Sequence, residues 1–303
     1  MISGPTELAT SQGSREPVIG ESTETSLTEP ALAADPQAAT AATRSAGPLV
    51  CVTYATAGAA SLQELVTSRL GLVCTHGTGL LPLCEKAAST WRSVEGTDRR
   101  TSELARSSIR ATVSTMYPIV QASHGGGHWC ETALVQATVA RTFAEIFPGS
   151  RFLALHRKCV DVIRATAVTY PWGLAGTPLE RHAASSAGLV DAAAAYWLHW
   201  TSQLLELEQS LGDRVMRIRY EDVAEDPVGT ASRIQAFTGV NPAGPNGARA
   251  GGLLASMGPR AQQAAESLRA FRDVPLDQIP EGLTAKIDEL SRQLGYAKLR
   301  ESL

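Results

Sequence analysis

The chain has 303 residues, of which 44% are hydrophobic, and a formal net charge of -3 at pH 7. This length accommodates one large α/β domain or two smaller ones, and the charge provides no basic surface for nucleic acid or an anionic membrane. No apolar run approaches the roughly 18 to 20 residues of a membrane span, and the N-terminus has no basic start followed by an apolar core. We therefore expect a cytoplasmic protein with no nucleic-acid or membrane partner.

The cysteines are five in number: Cys51, Cys74, Cys84, Cys130 and Cys159. An odd number without any C-x-x-C pair, mostly inside apolar segments, argues against a disulfide framework or a zinc finger. We interpret them as small core residues.

The first 46 residues mix Ala, Ser, Thr, Glu, Gly and Pro with hardly any periodic apolar pattern. Such a segment cannot bury enough surface to offset chain entropy, so we expect a disordered tail over 1–46 and a folded domain over 47–303. Leu49–Tyr54 is a continuous apolar run, typical of a strand covered on both faces. A stretch of small residues follows, and Ser61–Val66 has helical spacing, which together predict a strand, a tight loop and a helix.

A second unit follows the same pattern. The sequence predicts a helix over Ala137–Phe147, a stop at Pro148, a strand over Arg151–His156 and another helix from Val160 onwards. Alternation of apolar strands with helices predicts a parallel sheet with right-handed crossovers.

The last third of the chain is predicted to contain a helical region over Thr177–Leu211 and a buried strand over Arg214–Tyr220. An acidic turn closed by Pro227 is expected next, before an amphipathic helix around Ile234. A final amphipathic helix is predicted over Leu283–Leu294, with glycine as its C-terminal stop.

Aromatic residues form two groups with different expected roles. Tyr196, Trp197 and Trp200 share one predicted helix, and this spacing indicates core packing. Trp172 lies in a loop and is a candidate for lining an acceptor pocket.

Two segments carry a family resemblance over several residues each. The first is Arg219-Tyr-Glu-Asp222 with the Asp-Pro and Phe-Thr-Gly that follow it, which resembles the "RYEDL…DP…FLG" segment of sulfotransferases that use PAPS (3′-phosphoadenylyl sulfate). The second, Arg151–Ile163, resembles their "[KR]-F-[IV]-x-L-x-R-[DN]-P-x-D-V-[VI]" pattern. The resemblance extends from Gly47 to Tyr296 and implies an α/β domain of the P-loop NTPase-like class, a three-layer α/β/α fold with a parallel central sheet.

The resemblance implies that the loop after the first strand holds the 5′-phosphate of PAPS. The family carries "P-[RK]-S-G-T-[ST]" there, and aligning the glycine leaves only Gly58 in common. Backbone N–H groups and the positive end of the helix would still face the phosphate. The expected cofactor-binding residues are Thr56, Ala57, Gly58, Ala59, Ala60 and Ser61. The alternative interpretation is an ordinary tight strand-to-helix turn.

The same comparison implies that Arg157 binds the 3′-phosphate. Arg157 follows a predicted strand, at the sheet edge where open α/β folds bind ligands, and a guanidinium suits a phosphate. The family's serine eight residues later is Ala165 here, so Thr166 beside it is the candidate hydroxyl, and Tyr220 is expected to help order the nucleotide. A surface salt bridge between Arg157 and Asp161 is the alternative.

The candidate general base is His76. The segment around it resembles "C-G-E-E-T-R-[VI]-I-P" of the tyrosylprotein sulfotransferase branch through Cys74, Thr78 and Pro82, with His76 and Gly77 in place of the paired glutamates. Histidine can accept a proton near neutral pH. The alternative is a histidine that is merely hydrogen-bonded.

A glycine-rich stretch supplies two further catalytic candidates, His128 and Glu131. The same branch reads "W-x-E-K-T-P" here, which matches Trp129 and Glu131 but places Thr132 where the family has lysine. His124 or His128 is a candidate to replace that charge, and a glycine hinge with solvent-facing histidines is the alternative. A metal site made by these histidines and a cysteine fits no standard ligand spacing, so we expect no metal.

The resemblance therefore implies transfer of a sulfuryl group from PAPS to a hydroxyl or amine of a small-molecule or peptide acceptor. The alternative is a catalytically degenerate protein that binds a nucleotide, a carrier-bound intermediate or a partner. A nucleotide-dependent kinase is disfavoured because the chain contains no G-x-x-x-x-G-K-[ST] motif. The oligomeric state stays open.

Overall fold

The structure is a computed structural model that describes residues 48–94, 99–123, 129–134, 136–184, 186, 188–240 and 275–301. These residues belong to one compact unit, Thr43–Leu303. The predicted tail over 1–46 lies outside the described residues, as do His124, His128 and the glycines between them. Within the described part of the chain, no helix combines the length and apolarity needed to cross a membrane.

A five-stranded sheet forms the centre of the unit, and every neighbouring pair of strands is parallel. The strands are β1 (Leu49–Val52), β2 (Val73–His76), β3 (Trp129–Ala133), β4 (Arg151–His156) and β5 (Val215–Arg219). Their order across the sheet is β2-β3-β1-β4-β5, so the first strand is central. The predicted parallel α/β sheet is confirmed.

The helices of the described chain fall into two groups, and the helices within each group pack on one another. Their bounds are α1 (Ala59–Leu70), α2 (Leu80–Val94), α3 (Arg99–Ser123), α4 (Ala137–Ile146), α5 (Cys159–Thr169), α6 (Glu180–Ala183), α7 (Leu189–Leu211), α8 (Tyr220–Glu225), α9 (Pro227–Thr238) and α10 (Glu281–Gln293). Helices α1, α8 and α9 touch one another, whereas α4, α5, α6 and α10 all pack on α7, and α2 and α3 pack on α4. This is the three-layer α/β/α arrangement of P-loop-like proteins.

Burial on both faces explains the apolar strands. All four residues of β1 are buried, and so are Phe152 to His156 of β4. Strands covered on both sides read as continuous apolar runs rather than alternating ones. Tyr196 and Trp197 are fully buried on α7 and Trp200 is 6% exposed, which confirms the predicted core packing.

The acidic segment after β5 is helical, so the predicted acidic turn is wrong. Tyr220 starts α8 instead of ending a strand, and α9 begins two residues after α8 ends. The Asp226 side chain accepts the Gly229 amide at 2.9 Å, and Pro227 occupies the first turn of α9, both of which favour a helix start. Acidic residues in the first turn of α8 also suit the positive end of a helix.

Two smaller expectations can be compared with the structure. All five cysteines are free, four of them are buried and Cys74 is half-buried, in agreement with a role as core residues. Trp172 is 98% exposed, so its ring stands in solvent and lines no enclosed pocket of the described chain.

Candidate functional site

Most of the predicted site residues gather at the carboxyl edge of three adjacent strands. The loop from Thr53 to Gly58 follows β1, Arg157 follows β4, and Tyr220 follows β5. Because β1, β4 and β5 are neighbours in the sheet, these segments meet at one end of it. This is the edge at which open α/β sheets bind ligands.

The loop after β1 has an unusual backbone. Thr56 has a φ of 66°, the only positive value at a non-glycine residue of the described chain, and Gly58 has a φ of 97°. Gly58 also precedes α1 directly as its N-cap. A Cβ at Gly58 would collide with the Tyr220 ring, so the close approach of Tyr220 requires glycine here.

Some loop amides are already occupied and others are not. Ala55 donates to the Tyr196 hydroxyl at 2.8 Å, and Ala57, which is fully buried, donates to the Tyr54 carbonyl at 3.2 Å. Among the described residues, no hydrogen-bond partner is found for the amides of Thr56, Gly58, Ala59 and Ala60. Amides of this kind at the start of a helix form an anion-binding site.

Arg157 reaches across to the same loop. Its Nη1 donates to the Thr56 carbonyl at 2.7 Å, and its guanidinium carbon lies 4.1 Å from the centre of the Tyr220 ring. The alternative ion pair with Asp161 is not formed, and the Asp161 carboxylate pairs with Arg164 at 3.2 Å. Arg157 is only 6% exposed, and its Nε is buried without a partner in the described part of the chain.

Thr166 lies beside the loop as well. It is fully buried on α5, and its hydroxyl oxygen is 3.4 Å from that of Thr56. The Thr56 hydroxyl also donates to the Ala55 carbonyl at 2.6 Å. The structure therefore brings Thr56 to Arg157 and Thr166, which follow it by 101 and 110 residues in the sequence.

Glu221 holds the end of β4 in place. This buried carboxylate accepts the Lys158 amide at 3.0 Å and the Tyr296 hydroxyl at 2.8 Å. Burial, reinforced by Glu221, raises the pKa of Tyr296, so its hydroxyl keeps the proton that it donates. The Trp197 indole N–H fixes the same turn by donating to the Arg157 carbonyl at 2.8 Å. Arg157 thus projects from a backbone that is held on two sides.

A second group of site residues lies at the ends of β2 and β3. His76 is the last residue of β2 and is paired in register with Thr132 of β3. Glu131 is 1% exposed and accepts the Thr78 amide at 3.0 Å and the Thr78 hydroxyl. Burial raises the pKa of Glu131, and the two bonds from Thr78 oppose that shift. Glu131 therefore fixes the turn that follows His76.

Sequence reasoning missed two side chains that organise this edge. Tyr196 was expected only to pack in the core, yet its hydroxyl reaches the Ala55 amide 141 residues away. Gln63 of α1 donates to the Thr132 hydroxyl at 2.9 Å and ties the helix to β3. No local pattern marks either contact. Within the described residues, no group of three or more His, Cys, Asp or Glu is placed to hold a metal ion.

The fold is that of a P-loop-like α/β protein, and four amides of the loop after its first strand have no partner among the described residues. The chain belongs to the sulfotransferase family, since the family model matches residues 25–243. Comparison with curated proteins finds no match.

The fold is similar to that of solved structures, among them two sulfotransferase domains. A sulfotransferase domain from the curacin biosynthetic pathway is 18% identical with a TM-score of 0.55, over 83% of this chain and 98% of that one. A sulfotransferase domain from the olefin synthase of Synechococcus PCC 7002 is 16% identical with a TM-score of 0.51, over 83% and 95% respectively. At these identities the likeness concerns the fold alone.

Proposed function

We propose that the protein transfers a sulfuryl group from PAPS to a hydroxyl or amine of a small-molecule or peptide acceptor. The observation that carries this proposal is the contact between Arg157 and a loop in which four amides lack partners among the described residues. A nucleotide with phosphates at its 3′ and 5′ positions needs two anion sites, and both candidates lie at this edge.

The chain's own residues would divide the binding between them. Amides of Gly58, Ala59 and Ala60, together with the positive end of α1, suit the 5′-phosphate, and the hydroxyls of Thr56 and Ser61 lie in the same segment. The guanidinium of Arg157 suits the 3′-phosphate through paired hydrogen bonds, with the Tyr220 ring against it and the Thr166 hydroxyl close to that of Thr56.

When bound, PAPS supplies the sulfuryl group and leaves as the 3′,5′-bisphosphate PAP. The acceptor oxygen or nitrogen forms the new bond to sulfur as the bond from sulfur to the phosphate oxygen breaks, and the acceptor loses one proton. We assign His76 as the base that takes this proton. Glu131 acts by holding the turn after His76 through Thr78. His128, also a candidate, lies outside the described residues.

Calorimetric titration with PAP tests the binding half of the proposal. We expect wild-type protein to bind PAP and the Arg157→Ala variant to bind it at least about tenfold more weakly, because a charged hydrogen-bond donor is lost. Arg141→Ala is the matched control, since Arg141 pairs with Glu206 at the surface. Absence of PAP binding by the wild type would exclude the proposed function.

Transfer of labelled sulfur from PAPS to a panel of phenols, alcohols, amines and tyrosine peptides tests the chemical half. We expect His76→Ala to lower the turnover number by about 100-fold or more while PAP affinity is kept. Unchanged turnover in this variant would remove His76 from the mechanism.

A non-catalytic binding module is the second candidate function. It is favoured by one specific feature, since the loop from Thr53 to Ser61 contains no lysine or arginine of its own. In this case PAP binds, and no labelled sulfur reaches any acceptor.

A further inference from the structure

Arg157 contacts the phosphate loop directly, and this contact suggests a role beyond the 3′-phosphate. Its Nη1 donates to the Thr56 carbonyl at 2.7 Å. The next amide in the chain, that of Ala57, donates to the Tyr54 carbonyl at 3.2 Å. The peptide group between Thr56 and Ala57 is therefore held at both its oxygen and its nitrogen.

This peptide group is where the loop adopts its least favourable conformation. A φ of 66° at Thr56 is a left-handed value that is unfavourable for a residue with a side chain. Such a conformation persists when surrounding contacts determine it. The hydrogen bond from Arg157 is one of those contacts, and it acts on the turn that presents the amides of Gly58 and Ala59.

The Arg157 guanidinium is also built into the loop through Tyr220. The guanidinium carbon is 4.1 Å from the centre of the Tyr220 ring, and the same ring approaches Gly58 so closely that no Cβ fits there. Loop glycine, aromatic ring and guanidinium form one packed unit. A change in Arg157 is therefore transmitted to the loop along two routes, the Thr56 carbonyl and the Tyr220 ring.

The charge of the loop also supports a role for Arg157 beyond the 3′-phosphate. No residue from Thr53 to Ser61 is basic, so any cation for this loop must come from another segment. Arg157 is only 6% exposed, and its Nε has no partner in the described chain. A buried guanidinium N–H without a partner is costly, and an anion in the loop would supply one.

We propose that Arg157 also serves the 5′-phosphate subsite, both by holding the Thr56–Ala57 peptide in its anion-binding conformation and by supplying the cation that the loop lacks. This inference rests on the proposed function and extends it. One guanidinium then links the two phosphate subsites, so the loss of Arg157 weakens binding of a nucleotide that carries no 3′-phosphate.

The test uses three nucleotides: 5′-AMP, 3′-AMP and PAP. Calorimetric titration compares wild type with Arg157→Ala, Arg157→Lys and Arg164→Ala, the last being a control for removal of an arginine that pairs with Asp161. We expect Arg157→Ala to lower the affinity for 5′-AMP as well as that for PAP by at least about tenfold. Arg157→Lys should restore part of the 5′-AMP affinity, since it keeps the charge. Arg164→Ala should leave the affinity for each of the three nucleotides within about twofold of the wild-type value.

The outcomes separate this inference from the proposed function. If Arg157→Ala lowers the affinity for PAP and 3′-AMP but leaves that for 5′-AMP unchanged, Arg157 serves the 3′-phosphate alone. The inference is then overturned, while the proposed function stands. If the wild type binds none of the three nucleotides, both are overturned.

Hydrogen exchange of the nucleotide-free protein gives a second readout that needs no ligand. We expect Arg157→Ala to speed amide exchange in the peptide that covers residues 53–61, and Arg164→Ala to leave it unchanged. Equal protection of this peptide in wild type and Arg157→Ala would show that Arg157 does not position the loop.

Discussion

Replacing Tyr196 by phenylalanine removes one oxygen atom from the contact that ties α7 to the loop after β1. The Ala55 amide donates to this hydroxyl at 2.8 Å. The Tyr196 ring is fully buried, with its centre 6.0 Å from that of Tyr54 and 6.2 Å from that of Trp200. Because phenylalanine keeps the ring, the variant loses the hydrogen bond and little packing.

The expected magnitude follows from the amide left behind. A buried donor without a partner costs about 1–3 kcal/mol, and because Ala55 is only half-buried we expect the free energy of unfolding to fall by about 1–2 kcal/mol. We also expect PAP to bind about fivefold or more weakly, since part of this energy holds the loop in its binding conformation. Urea denaturation measures the first quantity and calorimetric titration the second.

Tyr54→Phe is the matched control. Tyr54 is 1% exposed, and its buried hydroxyl makes no hydrogen bond within the described chain. Because Tyr54→Phe breaks no hydrogen bond, we expect this control to change both the free energy of unfolding and the affinity for PAP little. The reasoning is refuted if Tyr196→Phe leaves the affinity for PAP unchanged, or if both variants lower that affinity by the same factor.

Two further variants test the packing and the electrostatics of the site. Gly58→Ala should lower the free energy of unfolding more than Gly71→Ala in urea denaturation: both glycines have positive φ, which costs alanine about 1–2 kcal/mol, but only at Gly58 does the new Cβ meet the Tyr220 ring. Equal losses would mean that the ring moves aside freely. Glu131→Gln should become more favourable relative to wild type as pH rises, because the folded-state pKa of Glu131 is raised above its ordinary value of 4.5. The stability that protonated Glu131 contributes is complete below pH 4.5 and is lost as pH rises through the folded-state pKa, whereas glutamine does not titrate. Denaturation at several pH values measures this difference, and a difference independent of pH would contradict the assigned cause.

The fold could largely be predicted because its central strands are buried on both faces. The runs at Leu49–Val52 and Arg151–His156 contain few polar residues, and only strands or buried helices read in this way. The strand Trp129–Ala133 gives a weaker signal. Its Glu131 and Thr132 are buried polar residues whose partners, Thr78 and Gln63, lie more than 50 residues away.

The candidate site was predictable only where local sequence carries it. Gly58 and Arg157 could be placed because a strand-to-loop pattern precedes each of them. The direction of the Arg157 side chain, toward the loop and not toward Asp161, depends on packing against Tyr220 and has no local signal. The acidic segment was mistaken for a turn because its capping residues, Asp226 and Pro227, occur both in turns and at helix starts.

A crystal structure of the protein with PAP tests the central claim most directly. We expect the 5′-phosphate to lie on the amides of Gly58 and Ala59 at the start of α1, with the Arg157 guanidinium within hydrogen-bond distance of a phosphate. PAP bound at another place, or crystals grown with saturating PAP that show no nucleotide at this edge of the sheet, would contradict the account.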